Sequence, residues 1–298
     1  MPTTWAGSIG VASAIVAAVT LGAGVTVLLA QRRAIRGTTL VGPWWWALAA
    51  VIAWSAAEVI TSLLAVEQVG LLAPWRLAAM VLSLCPAVSL IGAKRPQHAA
   101  WNFVVLALWC ILALPAAENA LLHPGQKLVI GDASGWLLWI LILLGPINFV
   151  PTRFWLASLL VAVGQSLALS THLPLFARPL IAQAEVAGLA LCGLGIISAA
   201  IAARRKTIAV NPYDVLWLDF RDSFGLFWSL RVQERINAAA TQRNWNLELA
   251  WGGFVLKPDA PAKDGDFDPA LRTALKGLLR RFVSHDWMAQ RLEASQLL

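Results

Sequence analysis

The chain has 298 residues, of which 59% are hydrophobic and only 13% are charged, and it carries a formal net charge of +7. The charged share is about half of the ~25% usual in soluble globular domains, and the apolar residues come in long runs. This pattern excludes an ordinary soluble enzyme and predicts an integral membrane protein, because lipid can cover apolar surface that water cannot. The basic residues cluster in loops between apolar runs, so the lipid bilayer is the expected partner and nucleic acid is not.

Seven apolar segments follow one another along the first two thirds of the chain. They cover residues 5–30, 44–66, 75–93, 99–119, 128–150, 154–170 and 180–203. Each is close to the ~20 residues that cross the hydrocarbon layer as a helix, and backbone groups in lipid must bond within their own segment. The sequence therefore predicts an all-α polytopic protein with a seven-helix transmembrane domain over residues 1–206.

Charges in the loops predict the orientation of this bundle. Nine basic residues fall on one predicted side and three on the other. The nine are Arg32, Arg33, Arg36, Lys94, Arg95, Arg153, Arg204, Arg205 and Lys206, and the three are Arg76, Lys127 and Arg178. Since basic loops stay in the cytoplasm, the N-terminus is expected outside a cell membrane and the C-terminus inside. The Pro-rich turn over residues 145–153 leaves a re-entrant hairpin open as an alternative.

Small residues recur at four-residue spacing in the first segment, at Gly10, Ala14, Ala18 and Gly22. Such a stripe lets two membrane helices approach closely. It favours internal packing, with the first helix against the last, and leaves a dimer face as the alternative.

Polar groups of the membrane segments gather toward the predicted outer side. Glu58 lies within the second segment, Glu118 ends the fourth, and Gln165 and Glu185 lie in the outer halves of the sixth and seventh. A carboxylate within lipid is costly and marks a candidate ligand or proton site. The alternative is a structural hydrogen bond, with Glu58 protonated and bonded to Gln165 or to a backbone carbonyl.

Residues 207–298 have a different composition, with eleven basic and eleven acidic side chains and no long apolar run. Asn211 and Pro212 are typical of a helix start. Alternating apolar residues over 245–256 predict a strand broken at Gly252 and Gly253, and a second helix follows Asp268. A small, mainly helical (α+β) cytoplasmic domain is predicted.

Aromatic residues are the distinctive feature of its first helix, at Trp217, Phe220, Phe224 and Trp228. Most of them are needed for the domain's own core. The excess predicts a docking surface for the membrane or for a protein partner.

The usual phosphate-binding, dinucleotide-binding and zinc-ligand spacings are missing from the sequence, so neither a cofactor nor a metal is expected. The leading functional prediction is a non-catalytic membrane protein, either sensor-like or an assembly or anchoring subunit. The alternative is a small transporter or intramembrane enzyme that uses the outer polar cluster around Glu58.

Overall fold

The computed structural model describes residues 3–64, 66–176, 180–181, 183–205, 211–256 and 269–296. Arg178, Lys206, the predicted domain boundary between residues 206 and 207, and Asp268 lie outside these residues. Helices dominate the described chain, and a single two-stranded sheet accompanies them.

The described residues of the bundle form eight helices. They are α1 (Thr3–Gln31), α2 (Val41–Leu63), α3 (Val66–Leu82), α4 (Cys85–Ile91), α5 (His98–Leu122), α6 (Asp132–Phe149), α7 (Trp155–Ala168) and α8 (Ala184–Arg204), with a 3₁₀ turn at Ser170–His172. Among the described residues, six helical stretches are long and apolar enough to cross a membrane. The chain is therefore an integral membrane protein.

The predicted count of seven spans is not confirmed, because the sixth predicted segment forms a shorter helix. α7 has 14 residues, which cover ~21 Å at 1.5 Å per residue, short of the ~30 Å of a hydrocarbon layer. The polar and proline-containing stretch that follows Ala168 ends the regular helix.

The third predicted span is broken near its middle. α3 ends at Leu82 and α4 begins at Cys85, with Ser83 and Leu84 between them in tight turns. Pro86, at the start of α4, has no backbone N–H to continue the ladder of α3. Backbone groups released within a membrane need other partners, and the side chain of Gln165 supplies one.

The small-residue stripe of α1 does not face the interior as predicted. Gly10 lies against the backbone of α2, but Ala18 and Gly22 are exposed, and nothing approaches within 4 Å of a β-carbon placed at Gly22. A strict four-residue spacing drifts around a helix of 3.6 residues per turn. The residues of α1 that do face α2 and α8 follow the true helical period: Ser13, Ala17, Thr20 and Gly24. The dimer face remains a prediction for the exposed edge.

Helices α7 and α8 approach each other closely at two glycines. Gly164 and Gly188 face each other, and a β-carbon on either would collide with the other's carbonyl oxygen. Only glycine on both sides allows this backbone contact.

The C-terminal unit comprises α9 (Pro212–Gln242), the hairpin β1 (Leu247–Ala250) and β2 (Gly253–Leu256), α10 (Pro269–Leu279) and α11 (His285–Gln296). The strands pair antiparallel, with Leu247 opposite Leu256 and Ala250 opposite Gly253. The predicted strand break is thus a hairpin turn. α9 begins at the predicted position, where the Asn211 side chain accepts a hydrogen bond from the Tyr213 N–H.

Three loops at one end of the bundle hold this unit. The N–H of Thr39 donates to Phe282, that of Arg95 to Arg281, and that of Ser284 to Gly37. The indole of Trp251 donates to Pro151 in the α6–α7 turn. We call this the docked end and the opposite one the far end. The loops between α1 and α2, α4 and α5, and α6 and α7 therefore share one side, as their basic residues predict.

Candidate functional site

Glu58 pairs with Arg76 at the far end of the bundle. Arg76 Nη2 lies 2.9 Å from Glu58 Oε2 and 3.1 Å from Oε1, and its Nε donates to the same carboxylate at 3.2 Å. Glu185 approaches Arg76 from α8 at 3.6 Å. The carboxylate of Glu58 is almost fully buried, so it faces the bundle interior and is bound by a guanidinium group from α3.

The four predicted polar residues do not form one site. Gln165 does not contact Glu58, since its side-chain amide donates to the carbonyl of Ser83 at 2.9 Å and to the Ser83 hydroxyl at 3.2 Å. Glu118 is exposed near the end of α5. The geometry brings together only Glu58 and Glu185, through Arg76.

A large cavity occupies the other half of the bundle and reaches the docked end. We call this end of the cavity, where the exposed Arg204 and Arg205 line it, the mouth. Its volume is about 980 Å³ and its surface is mainly apolar. Trp54, Ser83 and Gln165 line its inner end. Along α8 it extends from Leu189 to Arg205, a distance of ~24 Å at helical rise. The walls are formed by small and aliphatic side chains that include Ala50, Val51, Ala87, Ile142, Val161, Ala162, Gly193, Ile196 and Ala199.

This position differs from that of the ligand or proton site that the sequence predicted around Glu58 toward the outer side. The lining includes Trp54, one helical turn from Glu58, but neither Glu58 nor Arg76. The bulky indole of Trp54 is buried where it lines the cavity. The ion-paired group and the cavity are therefore separate features.

Charged side chains from both parts of the protein meet at the cavity mouth. Arg153, in the α6–α7 turn, lies 3.3 Å from Asp219 and 3.4 Å from Asp222. Arg291 of α11 binds the other oxygen of Asp219 at 3.0 Å, and Arg221 binds Asp222 at 2.8 Å. Arg153, Asp219, Asp222 and Arg291 all line the cavity, and we call these four residues the mouth network.

Burial affects the charges of this network and its surroundings. It lowers the pKa of the Arg291 guanidinium, an effect opposed by the neighbouring Asp219 carboxylate. The Asp219 carboxylate at 3.0 Å favours the charged form of this guanidinium. The unusually strong burial of the Asp222 carboxylate, 4% exposed, is compensated by two guanidinium groups.

Two further arginines stand at the mouth without an acidic partner among the described residues. Arg204 ends α8 and Arg205 follows it, and both are exposed. Neither forms an ion pair with any residue in the described part of the chain. The backbone carbonyl of Arg205 accepts a hydrogen bond from Arg153, so the pair lies beside the mouth network. Among the described residues that line the mouth, basic side chains outnumber acidic ones.

The predicted docking residues are mostly interior. Trp217, Phe220 and Phe224 are fully buried and stack in sequence, with Phe282 packed across the last two. These three are core residues because a unit of this size needs large aromatic rings to bury enough apolar surface. Trp228 is partly buried, and its indole donates to the Leu90 carbonyl at 3.0 Å. Trp228 therefore packs against the bundle of the same chain.

A kink in α9 fits the end of α6. Gly225 has φ of 72° inside the helix, a conformation that favours glycine. The buried amide of Asn148 donates to Phe224 O at 3.4 Å and accepts from Phe227 N at 3.0 Å. Asn148 therefore satisfies the backbone groups that the kink releases.

Neither Arg76 as the partner of Glu58 nor the mouth network was predicted from the sequence. Arg76 was counted only as a basic residue of the outer side, at the start of the third segment. Since α2 ends at Leu63 and α3 begins at Val66, an antiparallel pair brings positions 58 and 76 near each other. Asp219 and Asp222 are three residues apart, which puts both on one face of α9. That spacing was a usable signal in an otherwise aromatic helix segment.

In the described part of the chain, no group of three or more histidine, cysteine or acidic side chains is placed to hold a metal ion. Comparisons with protein-family models, curated proteins and solved structures gave no match. The function must therefore be argued from the geometry of the cavity and its mouth.

Proposed function

We propose that this chain is a non-catalytic, sensor-like membrane protein in which a ligand enters the cavity and the C-terminal unit responds. The observation that carries the proposal is the dual position of the mouth network. Arg153, Asp219 and Asp222 line the cavity, and the ion pairs of Arg153 with the two carboxylates attach the C-terminal unit to the bundle. A ligand at the mouth cannot avoid these ion pairs, so its binding changes the free energy of docking.

The packing of the C-terminal unit supports coupling in preference to simple anchoring. Backbone hydrogen bonds join Thr39 to Phe282 and Ser284 to Gly37, and the buried amide of Asn148 binds both sides of the α9 kink. These contacts form a continuous path from the loops around the cavity to the centre of α9. An anchoring subunit would not require a large cavity whose mouth is built from its docking residues.

For the membrane arrangement we propose seven crossings, with the N-terminus outside and the C-terminal unit in the cytoplasm. The ends of α7 support the seventh crossing. Arg153, just before α7, pairs with the C-terminal unit, whereas the His172 carbonyl, just after it, lies beside Gly135 in the first turn of α6. α7 and its 3₁₀ turn thus run alongside the whole length of α6. The basic loops at the docked end support the cytoplasmic assignment.

A block of the cavity tests the coupling without knowledge of the ligand. Ala199 lines the cavity, so Ala199→Phe in the full chain should act as a fixed occupant. The matched control is Ala107→Phe, at an exposed position of α5 outside the cavity lining. Hydrogen exchange would be measured at the amides of Thr39, Phe227 and Ser284, which bridge the two parts.

We expect Ala199→Phe to change exchange at these three amides by at least about tenfold, which corresponds to ~1.4 kcal/mol in local opening free energy. Ala107→Phe should leave them unchanged. Equal exchange in both variants, with both folded, would mean that the cavity and the C-terminal unit are independent and that the sensor proposal is wrong.

A small transporter is the second candidate, and the broken third span favours it. Discontinuous membrane helices that line a cavity are a feature of transporter binding sites, and Ser83 and Leu84 lie both at the break and in the cavity lining. Transport requires access from the far end as well, past Trp54. The test is the flux of an amphiphile across the membrane of proteoliposomes that contain the protein. A flux that increases in Trp54→Ala would favour the transporter over the sensor.

A further inference from the structure

The shape and charge of the cavity limit what can occupy it. Its volume of about 980 Å³ lies at the upper end of the ~300–1,000 Å³ of small-molecule sites. The cavity is also long. The stretch of α8 that lines it, from Leu189 to Arg205, measures ~24 Å at helical rise, which exceeds the ~15 Å of one leaflet of a bilayer's hydrocarbon layer. An extended alkyl chain with a polar head matches these dimensions.

The inner part of the cavity offers a ligand few accessible polar groups, since the indole N–H of Trp54 is itself buried. The Gln165 amide is bonded to Ser83, and the nearby wall is aliphatic, with Val51, Ile142 and Leu189. A sugar, nucleotide or other polar molecule would lose its hydrogen bonds to water there without replacement. An alkyl chain forms no hydrogen bonds to water, and the burial of its apolar surface contributes favourable binding free energy.

The mouth has the opposite character. Arg204 and Arg205 have no acidic partner among the described residues, and both line the cavity. Asp219 and Asp222 are already bound by guanidinium groups, so they do not cancel the charge of the two free arginines. Guanidinium groups bind phosphate oxygens through pairs of charged hydrogen bonds.

We propose that the cavity binds a single-chain anionic lipid, with its alkyl chain between α2, α6 and α8 and its phosphate headgroup at Arg204 and Arg205. This proposal rests on the proposed function and adds the chemical class of its ligand. The headgroup lies next to Arg153, which also binds Asp219 and Asp222. A bound phosphate therefore competes with these carboxylates for Arg153 and weakens the attachment of the C-terminal unit.

Binding of lysophosphatidate to the full chain in neutral-detergent micelles tests the ligand class. Lysophosphatidylcholine with the same chain is the control for the headgroup charge, and glycerol 3-phosphate is the control for the chain. We expect lysophosphatidate to bind at least about tenfold more tightly than lysophosphatidylcholine, as one charged hydrogen-bonded pair would give. Glycerol 3-phosphate should not bind measurably.

Two variant pairs separate the cavity from the protein surface. The double variant Arg204→Gln/Arg205→Gln should weaken the affinity for lysophosphatidate at least about tenfold. The control Arg33→Gln/Arg36→Gln removes the same charge at the docked end but outside the cavity lining. It should change this affinity less than about twofold. Ala199→Phe should abolish binding, and Ala107→Phe should not.

Three results would overturn the ligand class: equal affinity for the two lysolipids, binding of glycerol 3-phosphate as tight as that of lysophosphatidate, or full binding by Ala199→Phe. The last would place the lipid on the surface. Failure of these binding assays is distinct from failure of the proposed function, because the exchange experiment with Ala199→Phe uses no ligand.

Discussion

Arg153 in the α6–α7 turn reaches Asp222 of α9, with its Nε 3.4 Å from the Asp222 Oδ2. The two residues are far apart in sequence, one belonging to the bundle and the other to the C-terminal unit. Both line the same cavity. This contact therefore connects the cavity of the bundle to the C-terminal unit.

The Glu58–Arg76 pair should behave as a strongly coupled buried pair. Arg76→Gln leaves the Glu58 carboxylate buried without its guanidinium, so we expect a loss of about 3–5 kcal/mol in unfolding free energy. Glu58→Gln should cost less, because Arg76 keeps Glu185 at 3.6 Å. Unfolding of the purified protein in detergent would measure both.

The double variant Glu58→Gln/Arg76→Gln should recover part of this loss, with a coupling energy of at least about 1 kcal/mol. Glu58→Gln combined with Arg33→Gln, a change at the docked end, should be additive. Additive losses for the Glu58–Arg76 pair as well would show that the ion pair does not stabilise the bundle.

The kink in α9 gives a second stability prediction. Gly225→Ala places a β-carbon at a positive φ and against Asn148, so the unfolding free energy should fall by at least about 2 kcal/mol. Gly277→Ala in α10 meets no neighbour within 4 Å and should raise stability by up to about 1 kcal/mol. Thermal unfolding of both variants measures the difference; equal effects would contradict the proposed role of the kink.

Asp214 should make stability depend on pH. Burial raises the pKa of its carboxyl, although the Phe254 N–H at 2.7 Å works in the other direction. The native state therefore favours the protonated form, and the stabilisation is complete below the ordinary pKa of 3.8 and lost as pH rises through the raised native value.

Asp214→Asn stays neutral and keeps an acceptor for Phe254. Its melting temperature relative to the wild type should therefore rise between about pH 4 and about pH 7. Glu248→Gln, at an exposed position of β1, is the control and should show no comparable trend. A relative melting temperature of Asp214→Asn that falls over this range would contradict the assigned sign.

Topology reporters test the orientation. A reporter fused after Leu298 should report the cytoplasm, and one inserted at Gly125, between α5 and α6, should report the outside, because the basic loops lie at the docked end. The reverse result at both positions would show that the orientation is wrong. Cytoplasmic signals at both would contradict the proposed crossings instead.

The lengths of the apolar runs and the loop charges predicted six membrane-capable helices and the shared side of three loops, because the bilayer imposes length and composition on each segment separately. The start of α9 was also predictable, since Asn211 and Pro212 act locally. The break at Ser83 was not predicted: Pro86 stands in a continuous apolar run, and what stabilises the break is Gln165, which is 82 positions away.

The cavity could not be read from the sequence because it is an absence of packing between helices. Its lining residues, such as Ala199 and Val51, look like any others in an apolar span. The exposed placement of Ala18 and Gly22 follows from helical drift that a four-residue stripe ignores. Aromatic residues of α9 suggested docking, but Trp217, Phe220 and Phe224 are needed for the unit's own core.

The most direct test of coupling between the cavity and the C-terminal unit is a distance measurement between them. Spin labels would be placed at His98, at the start of α5, and at Glu234, on α9, both exposed, after the changes Cys85→Ala, Cys110→Ala and Cys192→Ala. Double electron–electron resonance would compare the full chain alone, with lysophosphatidate and with lysophosphatidylcholine. We expect lysophosphatidate alone to shift the distance distribution. Identical distributions at saturating lysophosphatidate would contradict the coupling.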